Sequence, residues 1–143
     1  MTRRTSLRPA FVQYVPETLE EGVLYISPEN RTVAHLCCCG CRSEVITPLD
    51  PAQWRLIYDG RVSLEPSVGS WNLPCRSHYW IRHNAVQWAE PWTDARIAAA
   101  RNAERQRIAQ HYAPPNAPPP AIAAAQPAPP KGLWERLLAW LSR

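Results

Sequence analysis

The chain has 143 residues and a formal net charge of +4, from 16 basic and 12 acidic side chains. This length allows one domain, or one domain with an appendage, and it excludes a large multidomain enzyme. The longest uninterrupted apolar runs have five residues, whereas a membrane span needs about 20. Because the N-terminal region also lacks the apolar stretch of a signal peptide, we expect a cytoplasmic protein.

The composition of the chain changes near residue 90. Up to that point nine arginines balance nine acidic residues, so the excess positive charge lies beyond it. Half of the 16 prolines lie between residues 114 and 130, and such a segment is expected to be extended and unpacked. These shifts predict four parts, which are a β domain at 10–90, a helical extension at 91–112, a disordered Pro/Ala-rich linker at 113–130 and a terminal helix at 131–143.

Short β-rich runs follow one another in the first part. The first pair lies at 22–26 and 32–37, with turn residues between them. The alternating runs 54–58 and 61–65 flank Asp59-Gly60, which predicts a type I′ hairpin turn because both turn residues need a positive φ. A second hairpin is expected from 79–81 and 86–88 around His83-Asn84. Prolines leave no room here for a long helix, so we predict a mainly β fold, a small antiparallel domain.

Two signals define the helical extension. Thr93 is a suitable N-cap, and Asp94 after it suits the positive end of a helix. The Ala-rich stretch that follows has a high helix propensity. The β domain is electrically neutral and the arginines of this helix are scattered, so no nucleic-acid partner is expected.

Cysteine is concentrated in one short run. Four of the five cysteines lie within residues 37–41, and Cys75 precedes His78 at C-x-x-H spacing. A disulfide framework is disfavoured because cytoplasmic thiols are kept reduced, whereas thiolates and imidazoles together bind Zn²⁺. We therefore predict a structural zinc ion that staples two halves of the small sheet. The candidate ligands are Cys37, Cys39, Cys41, Cys75 and His78. The favoured four are Cys39, Cys41, Cys75 and His78, with Cys37 as the closest competitor.

The same region carries a resemblance to a known family. The segments that carry it are His35-x-Cys37-x-Cys39-Gly40-Cys41, Leu64-x-Pro66-Ser67-Val68-Gly69-x-Trp71 and Pro74-Cys75-Arg76-Ser77-His78-Tyr79-Trp80-Ile81. This pattern, over about residues 20–90, resembles an uncharacterised bacterial Cys/His-rich family, a domain of unknown function whose members are often found beside genes of ubiquitin-like conjugation systems. The resemblance implies E1-like, E2-like or ubiquitin-like partners. It implies no particular activity.

Two classes of function fit these features. A thiolate-rich ligand set is typical of closed structural zinc sites, which favours a zinc-binding accessory or adaptor protein of a bacterial ubiquitin-like modification pathway over an enzyme. The alternative is a peptidase or hydrolase that processes a ubiquitin-like protein or its conjugates. Its candidate catalytic residues are Ser77 as nucleophile with His35 or His78 as base. A metal-bound His78 could not also serve as that base.

The terminal segment predicts an amphipathic helix. A helix this short is marginal alone in water, so it needs a surface to fold against. A hydrophobic groove on a protein partner is the favoured surface, and a membrane surface or the chain's own domain are the alternatives. The apolar residues that would make this contact are Leu133, Trp134, Leu137, Leu138, Trp140 and Leu141.

Overall fold

In the computed structural model, residues 2–115 are described. They form eight strands and one helix, namely β1 (Arg8–Phe11), β2 (Val23–Ser27), β3 (Thr32–Leu36), β4 (Glu44–Pro48), β5 (Arg55–Tyr58), β6 (Val62–Gly69), β7 (His78–Arg82), β8 (Ala85–Trp88) and α1 (Asp94–His111). The predicted docking helix at 131–143, and all of the predicted linker beyond residue 115, lie outside the described residues.

The strands form two four-stranded sheets. Their strand orders are β1-β2-β3-β4 and β5-β6-β7-β8. Neighbouring strands are antiparallel except for β1 and β2, which are parallel. The prediction of a mainly β fold is confirmed, and the parallel pair is the one departure from an antiparallel domain among the described strands.

Strands β1 and β4 were not predicted, and both lie at the edges of the first sheet. Each contains a proline, Pro9 in β1 and Pro48 in β4. Proline cannot donate a hydrogen bond to a neighbouring strand, so it lowers the sequence signal for a strand while remaining compatible with an edge position. The six other strands correspond to the predicted runs, because each combines β-branched or aromatic residues with flanking turn residues.

The larger of two core clusters among the described residues connects the two sheets. It is made of apolar side chains from both, among them Leu24, Ile26, Val33, Leu64, Tyr79 and Ile81. Burial of such side chains contributes roughly 1.5–3 kcal/mol each relative to leaving them exposed. The core holds β3 and β7 against each other, which brings the loop after β3 close to the residues that precede β7.

The two hairpins use different turns. Gly60 has a φ of 93°, and Asp59 is not among the residues with positive φ. Since Tyr58 pairs with Val62, the connection has three residues and is not the predicted type I′ turn. The second hairpin has that turn instead, because His83 and Asn84 have φ values of 48° and 66° between the paired Arg82 and Ala85.

Helix α1 belongs to the same compact unit as the strands. Its N-cap is Thr93, whose side chain accepts a hydrogen bond from the Arg96 backbone N–H at 3.3 Å, as the sequence predicted. Ile97 is buried, and Arg101 and Arg107 make side-chain hydrogen bonds to the loops before β7 and β5. The helix thereby forms one wall of a cleft over the second sheet. No helix in the described part of the chain has the length and apolar character needed to cross a membrane.

Candidate active site and metal centre

Four cysteine thiols converge at one end of the core. Cys37, Cys39 and Cys41 lie in the loop after β3, and Cys75 lies in the loop before β7. Their sulfur atoms all lie within 4.8 Å of one another. Gly40, with a φ of 88°, allows the backbone to turn between the second and third of these residues.

This geometry fits a tetrahedral metal ion. The Sγ atoms of Cys37 and Cys41 lie 3.9 and 3.8 Å from that of Cys75. A Zn–S bond of about 2.3 Å implies sulfur atoms roughly 3.8 Å apart around a tetrahedral ion. The four residues can therefore hold a metal ion. Cys37 belongs to this group, whereas His78, which was favoured as the fourth ligand, does not.

The thiols of this group differ in acidity. Burial raises the pKa of Cys37 to about 12, whereas hydrogen bonding to Ser43 is the main cause that lowers the pKa of Cys41 to about 6. Cys38 is fully buried in the hydrophobic core and is not one of the four. Its burial raises its pKa to about 11, as expected for a thiol that packs among apolar side chains.

His78 makes its closest polar contact with a serine. Its Nε2 atom lies 2.9 Å from the Oγ atom of Ser67. Ser67 is on β6 and His78 begins β7, and the register of these strands shifts between Leu64 and Val68. A bulge of this kind re-aims side chains and is frequent beside active sites. The arrangement is that of a nucleophile and a base within hydrogen-bond reach.

The surroundings of His78 favour its neutral form. Burial is the main cause that lowers its pKa below the ordinary value, and the positive charge of Arg96 lowers it further. The backbone of Glu90 has the opposite effect, because it raises the pKa of His78. The Nδ1 atom of His78 is buried and has no hydrogen-bond partner among the described residues. A neutral imidazole can accept the proton of the Ser67 hydroxyl, as a general base must.

Three tryptophans surround the His78 imidazole. The ring centroids of Trp71, Trp80 and Trp92 lie 4.9, 5.3 and 4.4 Å from that of His78. Trp71 and Trp92 are stacked on each other, and the Arg96 guanidinium lies 4.2 Å from the Trp92 ring centroid. These rings pack around the imidazole and restrict its orientation.

Ser67 and His78 open onto a cleft of about 590 Å³. Strand β4, the C-terminal half of β6 and helix α1 contribute to its walls. The volume is within the range of natural ligand pockets. The serine, the base and the space for a substrate therefore occur together.

The structure separates the other predicted catalytic residues. Ser77 is buried, and its side chain acts on the Cys37 thiol, whose pKa it lowers against the larger effect of burial. The Nε2 atom of His35 lies 2.8 Å from the Tyr79 hydroxyl, and burial lowers the pKa of His35 to about 4. Thus His78 is the one of these three that contacts a candidate nucleophile, and that residue is Ser67. The Pro66-Ser67-Val68-Gly69 segment marked this position in the sequence, but only strand pairing brings it to His78.

Comparison with protein families gives one match. The sequence model of a family described as "Bacterial ubiquitination-like system serine protease (BubE)" matches residues 11–89. No curated protein and no solved structure matches the chain. The matched region contains the cysteine group, Ser67 and His78, and it confirms the predicted association with ubiquitin-like conjugation systems. The chain therefore belongs to the BubE family.

Proposed function

We propose that this chain is a serine peptidase of a bacterial ubiquitin-like modification pathway. Its substrate is a ubiquitin-like protein, either as a precursor with a C-terminal extension or as a conjugate. The observation that carries the proposal is the 2.9 Å contact between Ser67 Oγ and His78 Nε2 in an open cleft. The description of the BubE family as a serine protease supports it.

The two residues act in two stages. The Ser67 oxygen attacks the carbonyl carbon of the scissile bond while His78 Nε2 takes the hydroxyl proton. His78 then gives this proton to the leaving group, and an acyl-enzyme remains on Ser67. A water molecule, deprotonated by His78, attacks the ester carbon, and the proton returns to Ser67 as the acid product leaves.

We assign the cysteine group a structural role with Zn²⁺ as its metal. Four thiolates fill the tetrahedral coordination of the ion, so no open position remains for water or substrate. The ion would hold the loop after β3 to the loop before β7, and His78 begins directly after that second loop. The zinc would thus fix the start of the strand that carries the base.

We place the reaction in the cytoplasm. None of the five cysteines forms a disulfide, and the reducing cytoplasm keeps cysteines in that state. An adaptor without peptidase activity is the alternative function. It requires the ubiquitin-like protein to bind without being cleaved, so the test below separates the two.

The test uses the full chain and a ubiquitin-like protein of a bacterial ubiquitination-like system, fused at its C-terminus to a reporter protein. We expect the wild type to release the reporter, with the new C-terminus defined by mass spectrometry. Ser67→Ala should abolish release, whereas Ser77→Ala, the matched control, should retain it. Binding of the fusion with no release by the wild type would support the adaptor, and release by Ser67→Ala would rule out the assigned nucleophile.

A further inference from the structure

The edge of β6 is open beside the candidate nucleophile. Strand β5 pairs with β6 only from Val62 to Glu65, and the first pair of that ladder is Arg55 with Glu65. Strand β6 continues to Gly69. Residues 66–69, which include Ser67, therefore have no neighbouring strand on that side within the described part of the chain.

Two polar side chains without partners lie near the two ends of this open edge. Trp54 immediately precedes β5, and Ser70 immediately follows β6. The Trp54 Nε1 and Ser70 Oγ atoms are buried and have no hydrogen-bond partner within residues 2–115, and both residues line the cleft that Ser67 and His78 share. Ser70 is only 7% exposed. Residues 2–115 contain four buried side-chain nitrogen or oxygen atoms without a hydrogen-bond partner. Three of them belong to residues that line this cleft, and the fourth belongs to His35.

Buried polar groups in folded proteins nearly always have partners, because an unpaired one has lost its hydrogen bonds to water without replacement. Exceptions that gather around one cleft indicate that a ligand supplies the missing partners. An indole N–H can only donate, and a serine hydroxyl donates readily. The missing partners are therefore acceptors, and a peptide in an extended conformation offers carbonyl oxygens at regular intervals.

We propose that the C-terminal segment of the ubiquitin-like substrate binds as an added strand along residues 66–69 of β6, with Trp54 Nε1 and Ser70 Oγ donating hydrogen bonds to its backbone carbonyl oxygens. This inference rests on the proposed function and defines how the same site recognises its substrate. Strand addition at an open sheet edge is an established mode of peptide recognition. Because this mode uses backbone hydrogen bonds, it would place the substrate backbone beside Ser67 whatever most of the substrate side chains are.

The first experiment measures binding apart from cleavage. In the Ser67→Ala chain, the dissociation constant of the ubiquitin-like protein with its C-terminal extension is measured by calorimetry. We expect Ser70→Ala and Trp54→Phe each to weaken binding by about two- to tenfold, as the loss of one neutral hydrogen bond predicts. Ser63→Ala is the matched control. Ser63 is also a buried serine on β6, but its Oγ accepts a hydrogen bond from His83 N–H at 2.9 Å, so its loss should leave binding unchanged.

The second experiment separates binding from folding. Ser70→Ala removes a hydroxyl that has no partner, so its thermal unfolding midpoint should equal or exceed that of the wild type, whereas Ser63→Ala should lower it. With Ser67 present, a fluorophosphonate, which reacts with the nucleophile and carries no peptide backbone, should label the Trp54→Phe and wild-type chains at the same rate.

The outcomes distinguish this inference from the proposed function. Hydrolysis that depends on Ser67, together with dissociation constants that neither Ser70→Ala nor Trp54→Phe changes, would overturn the inference alone. Weakened binding in both variants, with no hydrolysis by the wild type, would support the inference and overturn the peptidase. Failure of the extended protein to bind the Ser67→Ala chain would overturn both.

Discussion

The indole ring of Trp71 packs directly against the backbone of Gly69. A Cβ atom at Gly69 would lie 2.4 Å from the Cε2 and Nε1 atoms of that ring. The same indole stands 4.9 Å from the His78 imidazole, measured between ring centroids. The absence of a side chain at Gly69 thus determines where Trp71 lies, and Trp71 in turn borders the candidate base.

Gly69→Ala should therefore impair catalysis more than folding. The new methyl group must displace the indole, which removes one wall from around His78. Because small errors in the position of a catalytic group are costly, we expect kcat/KM to fall by about 10- to 100-fold. The control is Gly60→Ala. Gly60 has open space around it but a φ of 93°, where a Cβ atom is unfavourable, so this variant should lose about 1–2 kcal/mol of stability and keep its kcat/KM. Equal kcat/KM values in the two variants would contradict the role given to Trp71.

The pH dependence of the reaction should report the environment of His78. The base must be neutral to act, so kcat/KM should rise with pH through the pKa of His78. Burial and Arg96 lower that pKa, which puts the acid limb of the profile below the ordinary histidine value of about 6.5. A profile measured between pH 4 and 8 checks this expectation, and an acid limb above pH 6.5 would contradict it.

Arg96→Gln should move the acid limb of that profile to higher pH. Removing a nearby positive charge makes protonation of His78 easier, so its pKa rises. Arg105→Gln is the control, because Arg105 lies on the same helix and hydrogen-bonds to Asn102 on the helix surface. An identical shift in both variants would assign the effect to the net charge of the protein and not to the proximity of Arg96 to His78.

The buried pair of His35 and Tyr79 should stabilise the fold. Tyr79→Phe removes the hydroxyl that lies 2.8 Å from His35 Nε2 and leaves that nitrogen without its partner in the core. We expect the free energy of unfolding, measured with urea, to fall by about 1–3 kcal/mol. Tyr14→Phe is the control, since Tyr14 is 68% exposed and should change stability by less than about 0.5 kcal/mol. A loss of similar size in both variants would contradict this assignment.

The cysteine group should bind one equivalent of zinc in the purified chain. Cys75→Ser should reduce the zinc content measured by elemental analysis, and a chelator should lower the melting temperature of the wild type. Co²⁺ substituted for Zn²⁺ should give the absorption spectrum of a tetrahedral thiolate site. Cys38→Ala is the control because Cys38 lies outside the group of four. Zinc content that falls with Cys38→Ala and not with Cys75→Ser would overturn the ligand assignment.

Local sequence patterns predicted most of the strands and the helix. Runs of β-branched or aromatic residues with turn residues between them, two of which alternate between apolar and polar residues, identified six of the eight strands, and Thr93 identified the start of α1. The edge strands β1 and β4 were missed because each contains a proline, which argues against a strand in the sequence, and pairing with β2 and β3 determines them. The turn at Asp59-Gly60 was assigned to the wrong type because the register of β5 and β6 fixes the number of loop residues.

The sequence alone determined a mainly β domain, a cysteine-rich group for a metal ion and the family to which the chain belongs, because each depends on residue type and on spacing within a segment. Tertiary structure decided how the site residues pair. Cys37 joins the other thiols, while His78, three residues from Cys75, meets Ser67 on the adjacent strand. The register shift between β6 and β7 selects this serine over Ser77, and strand register depends on packing between segments that are distant along the chain.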